Sequence, residues 1–230
     1  DELIWRYLDG DALIETIDTA KLRLSQPKNM QDHREGTISP ATRARNRDLD
    51  EELSSLSQSP KPQSADDLLE VLNRYTHYIS CWSKNSPESM MMWNAFTKNS
   101  DSGAIGINMR LLKESLDPSM DSAQIGSIQY EDIDKYPARG HHWVDELFRK
   151  RMAFEYEKEV RLVIDTSFSE PTGFRLFEEL NSFYFVDFDI SKVLEFVIHP
   201  YASVDFESRV SKKVKEKGFA IPISRSGIAH

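Results

Sequence analysis

The sequence has only one cysteine, Cys81, among its 230 residues. That excludes an intramolecular disulfide and a cysteine-rich metal site, and it fits a reducing compartment. Apolar runs are short, and none approaches the roughly 20 residues that a membrane-spanning helix needs. The opening Asp1-Glu2-Leu3-Ile4-Trp5-Arg6 lacks the basic-then-apolar layout of a secretory signal. A cytoplasmic protein with no membrane partner is expected. Positive charge is in the minority, with 29 Lys and Arg against 38 Asp and Glu and a formal net charge of −9. A phosphate backbone is repelled on average, so nucleic acid is not favoured as a partner unless a local basic patch forms.

The common nucleotide and metal signatures are missing as well. Gly103-Ala104-Ile105-Gly106 is too short for a dinucleotide fingerprint, and neither a P-loop nor the histidine-glutamate metalloprotease pattern occurs. His141-His142 is the only adjacent histidine pair. Neighbouring residues diverge on a helix, unlike the i, i+4 spacing that suits chelation, so no metal site is expected there. The chain shows no internal repeat.

What is present can build a core. Hydrophobic residues make up 39% and aromatic residues 10%, far above a disordered composition and enough for one domain over 1–230. Leu3 to Tyr7 reads as a strand, Leu13, Ile14 and Ile17 share one helix face, and Leu22 and Leu24 alternate as a second strand would. From about 26 to 63 the apolar pattern thins among Pro27, Pro40, Pro60, Pro62 and the charged Arg43, Arg45 and Arg47. This predicts a flexible polar insertion, with a helix at about 49 to 56. Ser64 is placed to cap the next helix, with Asp66 and Asp67 at its positive end.

Beyond it, Tyr75 to Trp82 reads as a buried strand, and Ser86-Pro87-Glu88 as a helix start. Gly103 to Met109 and Ile125 to Tyr130 are strand candidates around a helix at 111 to 116. Val144, Leu147, Phe148 and Met152 mark a helix running into a strand at 157 to 164, and Phe183 to Phe188 is a further strand. The end reads strand 193–198, helix 204–217, a stop at Gly218, then strand 219–223. The fold class predicted is α+β, with a central mixed, mainly antiparallel sheet and flanking helices.

Two places could carry chemistry. On the strand after Phe154, alternation turns Val160, Leu162 and Ile164 to the core and Glu157, Glu159 and Arg161 to the other side. Two carboxylates beside a guanidinium can make an acid/base pair or an electrostatic clamp, although a solvated, ion-paired outer face gives the same pattern. Ser80-Cys81-Trp82 ends a strand, and Glu88, Ser89, Met92 and Trp93 follow on a helix. A carboxylate and a hydroxyl beside two indoles could line a pocket for a ring-bearing ligand, while core packing of Trp82, Met92 and Trp93 explains them equally well. Cys81 has no histidine placed to activate it. Lys150 and Arg151 complement the negative end of a helix unless they point inward.

Taken together, Trp5-Arg6-Tyr7, Asp32-x-x-Glu35-Gly36, Ser80-Cys81-Trp82, Glu88-Ser89-x-x-Met92-Trp93, Phe154-x-x-Glu157-x-Glu159-Val160-Arg161 and the final strand-helix-strand resemble the bacterial family catalogued as domain of unknown function 2971. That family is similar in layout to ADP-ribosyltransferase-like folds. The resemblance implies an NAD-using transferase, of the kind found among toxins and phage-defence effectors, with NAD as a substrate and no bound cofactor. Arg6 and Tyr7 would then hold the nicotinamide-ribose end, Ser80 and Trp82 would shape the pocket, and Glu159 would bond a ribose hydroxyl. Catalysis would fall to Glu159, Arg6 and Glu88, and binding to Tyr7, Ser80, Trp82, Trp93 and Arg161. Arg6 stands where such enzymes commonly have histidine. The alternative is a non-catalytic binding or regulatory module that holds a peptide, a nucleotide or a nucleic-acid end in the same cleft.

Overall fold

The computed structural model describes residues 2–56, 65–117, 123–140, 143–166 and 182–229. Its centre is a nine-stranded, mostly antiparallel sheet with helices on both faces, an α+β architecture. The opening unit is β1 (Leu3–Asp9), α1 (Gly10–Thr19) and β2 (Lys21–Ser25). β3 (His77–Ser83) pairs along its whole length with β8 (Glu159–Asp165), from His77 opposite Asp165 to Ser83 opposite Glu159.

The other edge of β3 is shared. β1 meets it only at Trp5 opposite Ser83, and β2 only at Ser25 opposite Ile79. The sheet therefore forks. One arm continues from β1 through β4 (Ser102–Asn108), which α5 (Met109–Glu114) follows, and β10 (Glu195–Ile198) to β11 (Ile223–Arg225), where β10 and β11 run parallel. The other arm runs from β2 to β9 (Phe183–Asp187), and β5 (Ala123–Ser127) closes the far side against β8. A separate parallel pair joins β6 (Gln129–Glu131) to β7 (Arg149–Arg151).

Directly opposed residues of an antiparallel pair share a face, and neighbours along a strand do not. One face carries Ile4, Leu8, Ile105, Trp82, Leu162 and Ile164 against Leu13 and Ile17 of α1 and Phe206, Val210 and Val214 of α6 (Val204–Glu216). Gly10 lets α1 start close against this arm, because a Cβ there would lie 2.5 Å from the Asp101 carbonyl and 2.7 Å from the Phe206 ring. The other face packs Trp5 and Tyr7 under Met92 and Trp93 of α4 (Met90–Phe96), and Ile79 and Val163 under Leu147.

Several expected elements are redrawn. The helix foreseen through Met152 is instead a 3-10 turn at Trp143–Phe148, strand β7, and a second 3-10 turn at Met152–Glu157. Lys158, at φ 43°, turns the chain into β8, so Glu157 ends a turn and does not lie in the strand. α4 starts after Ser89, later than the Pro87 signal. The last strand is β11, later than the expected 219–223.

Residues 26–56 of the expected insertion carry a helix, α2 (Pro40–Leu56), longer than foreseen, and several buried polar groups. Ser39 Oγ reaches Thr42 Oγ1 and Glu146, Thr42 Oγ1 accepts from the Ala138 amide, and Arg149 pairs with Glu131 at 2.7 Å and Glu146 at 2.9 Å. The segment looks unfoldable in a hydropathy reading because hydrogen bonds and ion pairs hold it more than hydrocarbon does. The cap expected at Ser64 and the pair His141-His142 lie outside the described residues. α3 (Ala65–Tyr75) does begin with Asp66 and Asp67 in its first turn.

Candidate functional site

Glu159 and Arg161 were expected on a solvated or cleft-facing side of β8. They are buried instead, 2% and 0% exposed, inside a closed ionic cluster. Arg161 forks onto Glu35 at 2.7 and 2.8 Å, donates through Nε to Glu159 at 2.6 Å, and gives a further bond to the Leu147 carbonyl. Lys150, which the sequence puts at a helix end, points inward from β7. Its ammonium lies 2.6 Å from Glu157, 3.1 Å from Glu159 and 3.6 Å from Glu35. Glu157 is therefore a buried partner of Lys150 and is not solvated. Gly36, at φ 73°, makes the turn beside Glu35, and a Cβ there would press on Pro27 and Arg74. Bidentate and charge-assisted bonds of this kind are the strong ones.

The charges follow from the geometry. Burial works against ionisation of Glu159, but Arg161 and Lys150 outweigh it and hold the carboxyl at about 2. Burial dominates at Glu157 and raises its pKa in spite of Lys150. Burial also pushes the Cys81 thiol up, with Glu159 adding to it, and lifts Tyr130 to about 12. The Tyr130 hydroxyl accepts the Glu159 backbone N–H at 2.7 Å. Cys81 is thus a protonated, inert thiol.

Arg6, Ser80 and Trp82 lie on the opposite face of the sheet from Glu159, because Trp5, Ser83 and Glu159 form one row across the strands. Arg6 donates to Ser80 Oγ at 2.6 Å and to the Arg23 carbonyl, so it bridges the fork between β1 and β2. Its guanidinium sits 6.0 Å from the Trp82 ring centre. Among the described residues no carboxylate comes within 4.0 Å of it. Burial, with the like charge of Arg23 adding, lowers its pKa to about 10. Among the described residues the buried Trp82 Nε1 also finds no acceptor.

Tyr7, Glu88 and Trp93 form a third group, back on the α4 face. Tyr7 and Trp93 meet edge to face at 4.9 Å, the Tyr7 hydroxyl donates to the Ser86 carbonyl at 3.1 Å, and Trp93 Nε1 donates to the Pro87 carbonyl at 2.7 Å. Glu88 accepts from the Gly227 amide at 3.0 Å and from Ser226 Oγ at 3.2 Å, which ties the chain end to this loop. Burial, then Glu88, raises the Tyr7 pKa. The eight candidate residues thus fall into three groups on two faces, and no one cleft is lined by all of them.

Sequence reasoning missed Glu35 as the partner of Arg161, and Lys150 as the partner of Glu157 and Glu159. Glu35 had a signal, since it stands directly before Gly36 in Asp32-x-x-Glu35-Gly36. It also missed a cavity of about 680 Å³ whose wall includes Arg23, Lys98, Tyr201 and Arg209. These residues come from β2, the loop before β4, the loop before α6, and α6 itself, so no local spacing could reveal it. Among the described residues no histidine, cysteine and carboxylate group is arranged to hold a metal, and no helix is long and apolar enough to cross a membrane. Comparison with known proteins found no matching family model, no matching curated protein and no matching solved structure.

Proposed function

We propose that this chain is a binding or regulatory module that takes an anionic small molecule at the fork of its sheet, with Arg6 as the charge the ligand answers. One observation carries the reading. Arg6 is a half-buried guanidinium that no described carboxylate approaches within 4.0 Å, whereas the buried Arg149 and Arg161 each hold two. Ser80 and the Arg23 carbonyl satisfy two of the Arg6 N–H groups but neutralise none of its charge, and an arriving anion supplies the missing counter-charge. The neighbouring guanidinium of Arg23 and the unpaired Trp82 N–H add donors without adding acceptors. Phosphate and carboxylate groups match this donor set.

A second reading is the NAD-using transferase that the resemblance to domain of unknown function 2971 implies. It is favoured by the ionised state of Glu159, the form needed to stabilise the positive charge that develops as the bond to nicotinamide breaks. It requires Glu159 to act from the face opposite Arg6, and to be freed from Arg161 and Lys150.

Calorimetric titration with pyrophosphate, citrate and NAD tests the first reading, on the wild-type chain and on Arg6→Gln. At least one of these anions should bind, and Arg6→Gln should weaken it on the order of tenfold or more. Binding that ignores Arg6→Gln defeats the proposal. Incubation with labelled NAD and cell extract, beside Glu159→Gln, tests the second reading, which fails if NAD is neither bound nor consumed.

A further inference from the structure

We infer that the cavity beside α1 is a site for the phosphate ester of a small hydroxylated molecule. The inference rests on the anion reading above through one shared residue, Arg23, whose carbonyl receives Arg6 and whose side chain lines the cavity. Arg6 itself is not in the wall, so the two ideas can fail separately.

The case begins with three cations delivered by three distant segments. Arg23 comes from β2, Lys98 from the loop before β4 and Arg209 from α6, and none of them forms an ion pair with a described residue although all three line one cavity. Carboxylates line it too, and two of them already hold the scaffold. Asp9 accepts the Lys98 backbone N–H at 2.7 Å, and Asp101 accepts both the amide and the hydroxyl of Ser203, at 2.8 and 3.1 Å. Those carboxylates fix the loops that present the cations without touching the cationic side chains. The third, Asp11, is exposed at the start of α1 and free to accept a hydroxyl. α1 has no side-chain cap at this end, and although the Gly10 amide is taken by the Asp101 carbonyl at 2.9 Å, the next amides of its first turn add positive potential to the same wall.

A volume of about 680 Å³ exceeds what a bare phosphate needs and falls within the range of small-molecule sites, about 300–1,000 Å³. Tyr201, 60% exposed at the rim, offers a flat apolar surface to the organic part of the ligand. A phosphate held by Arg23, Lys98 and Arg209, a hydroxyl on Asp11 and a carbon skeleton against Tyr201 answer the charged side chains of this wall that the scaffold does not already engage. A hydrophobic or cationic ligand leaves the three cations unanswered.

The test is titration of the full chain with inorganic phosphate, ribose 5-phosphate and ribose. Ribose 5-phosphate should bind tightest and ribose most weakly. Lys98→Gln combined with Arg209→Gln, both at exposed positions, should weaken the ester on the order of tenfold. Asp11→Asn removes a repelling charge while keeping an acceptor, and should tighten it by roughly a few-fold; damage to the structure would not produce that gain. Equal binding of phosphate and the ester overturns the ester assignment. Absence of binding, indifference to the Lys98 and Arg209 changes, or weaker binding in Asp11→Asn overturns the site. Loss on Arg6→Gln alone counts for the fork proposal and against this cavity.

Discussion

The two faces of the sheet treat buried charge in opposite ways. On the α4 face, Arg161, Lys150, Glu35, Glu157 and Glu159 close on one another with almost no exposure. On the α1 and α6 face, Arg6 lies half-buried beside the hydrocarbon core with a hydroxyl and a carbonyl for company and no counter-charge among the described residues, whereas Arg225 on the same face pairs with Glu207. A network that satisfies itself has little left to offer a ligand, and its residues act as structure. An unanswered charge is where a partner is missing. The most conspicuous charged strand of the sequence is therefore the better candidate for architecture, and the arginine three residues into β1 the better candidate for function.

The largest expected effect tests the architectural half. Arg161→Met leaves Glu35 and Glu159 buried with only Lys150 to share, and should cost about 3–5 kcal/mol of stability by urea unfolding. Replacing the set together, with Glu35→Leu, Glu159→Met and Arg161→Met, should recover most of that loss, because a filled apolar site avoids desolvating ions altogether. A small loss in the single variant would break the contrast between the faces.

The pH dependence should be smaller and of two signs. Glu159 is lowered from 4.5 to about 2, so its contribution is fully present above about 4.5 and lost as pH falls through about 2. Glu157 is raised by burial, so what it contributes is present below its ordinary value and lost as pH rises through the raised one. Urea midpoints measured from pH 2 to 8 should show Glu159→Gln flattening the acid limb and Glu157→Gln flattening the decline above it. Identical profiles in both variants would mean that the cluster does not divide its charge in this way.

How much of this was legible in the sequence depends on the range of the forces. The α+β class, β1-α1-β2, β3, and the closing β10 and α6 follow from apolar periodicity and from Gly218, whose φ of 74° ends α6, while β11 lies later than periodicity put it. The alternation of β8 correctly placed Glu159 and Arg161 opposite Val160 and Leu162. It could not show that the polar side was also covered, because the cover is Glu35 and Lys150, 124 and 9 residues from Glu159 and carried by segments whose own composition is polar. Periodicity detects burial in hydrocarbon and misses burial in salt bridges. The separation of Arg6 from Glu159 was likewise out of reach, since it needs the register of Trp5, Ser83 and Glu159 across three strands.

The smallest effect is the most discriminating. Arg6→Met exchanges a guanidinium without a counter-charge among the described residues for an unbranched apolar chain beside the hydrocarbon core of its face. It gives up one bond to Ser80 and one to the Arg23 carbonyl, worth about 0.5–1.5 kcal/mol each, and removes both a desolvation cost and the repulsion from Arg23. These terms oppose each other, so stability should stay within about 1 kcal/mol of wild type, or rise. Arg161→Met, the same exchange on the other face, should destabilise several times more. If Arg6→Met proves as damaging as Arg161→Met, then Arg6 is a structural strut across the fork, and the anion is not needed to explain it. If it is silent in folding and removes anion binding, the fork holds its charge for a ligand.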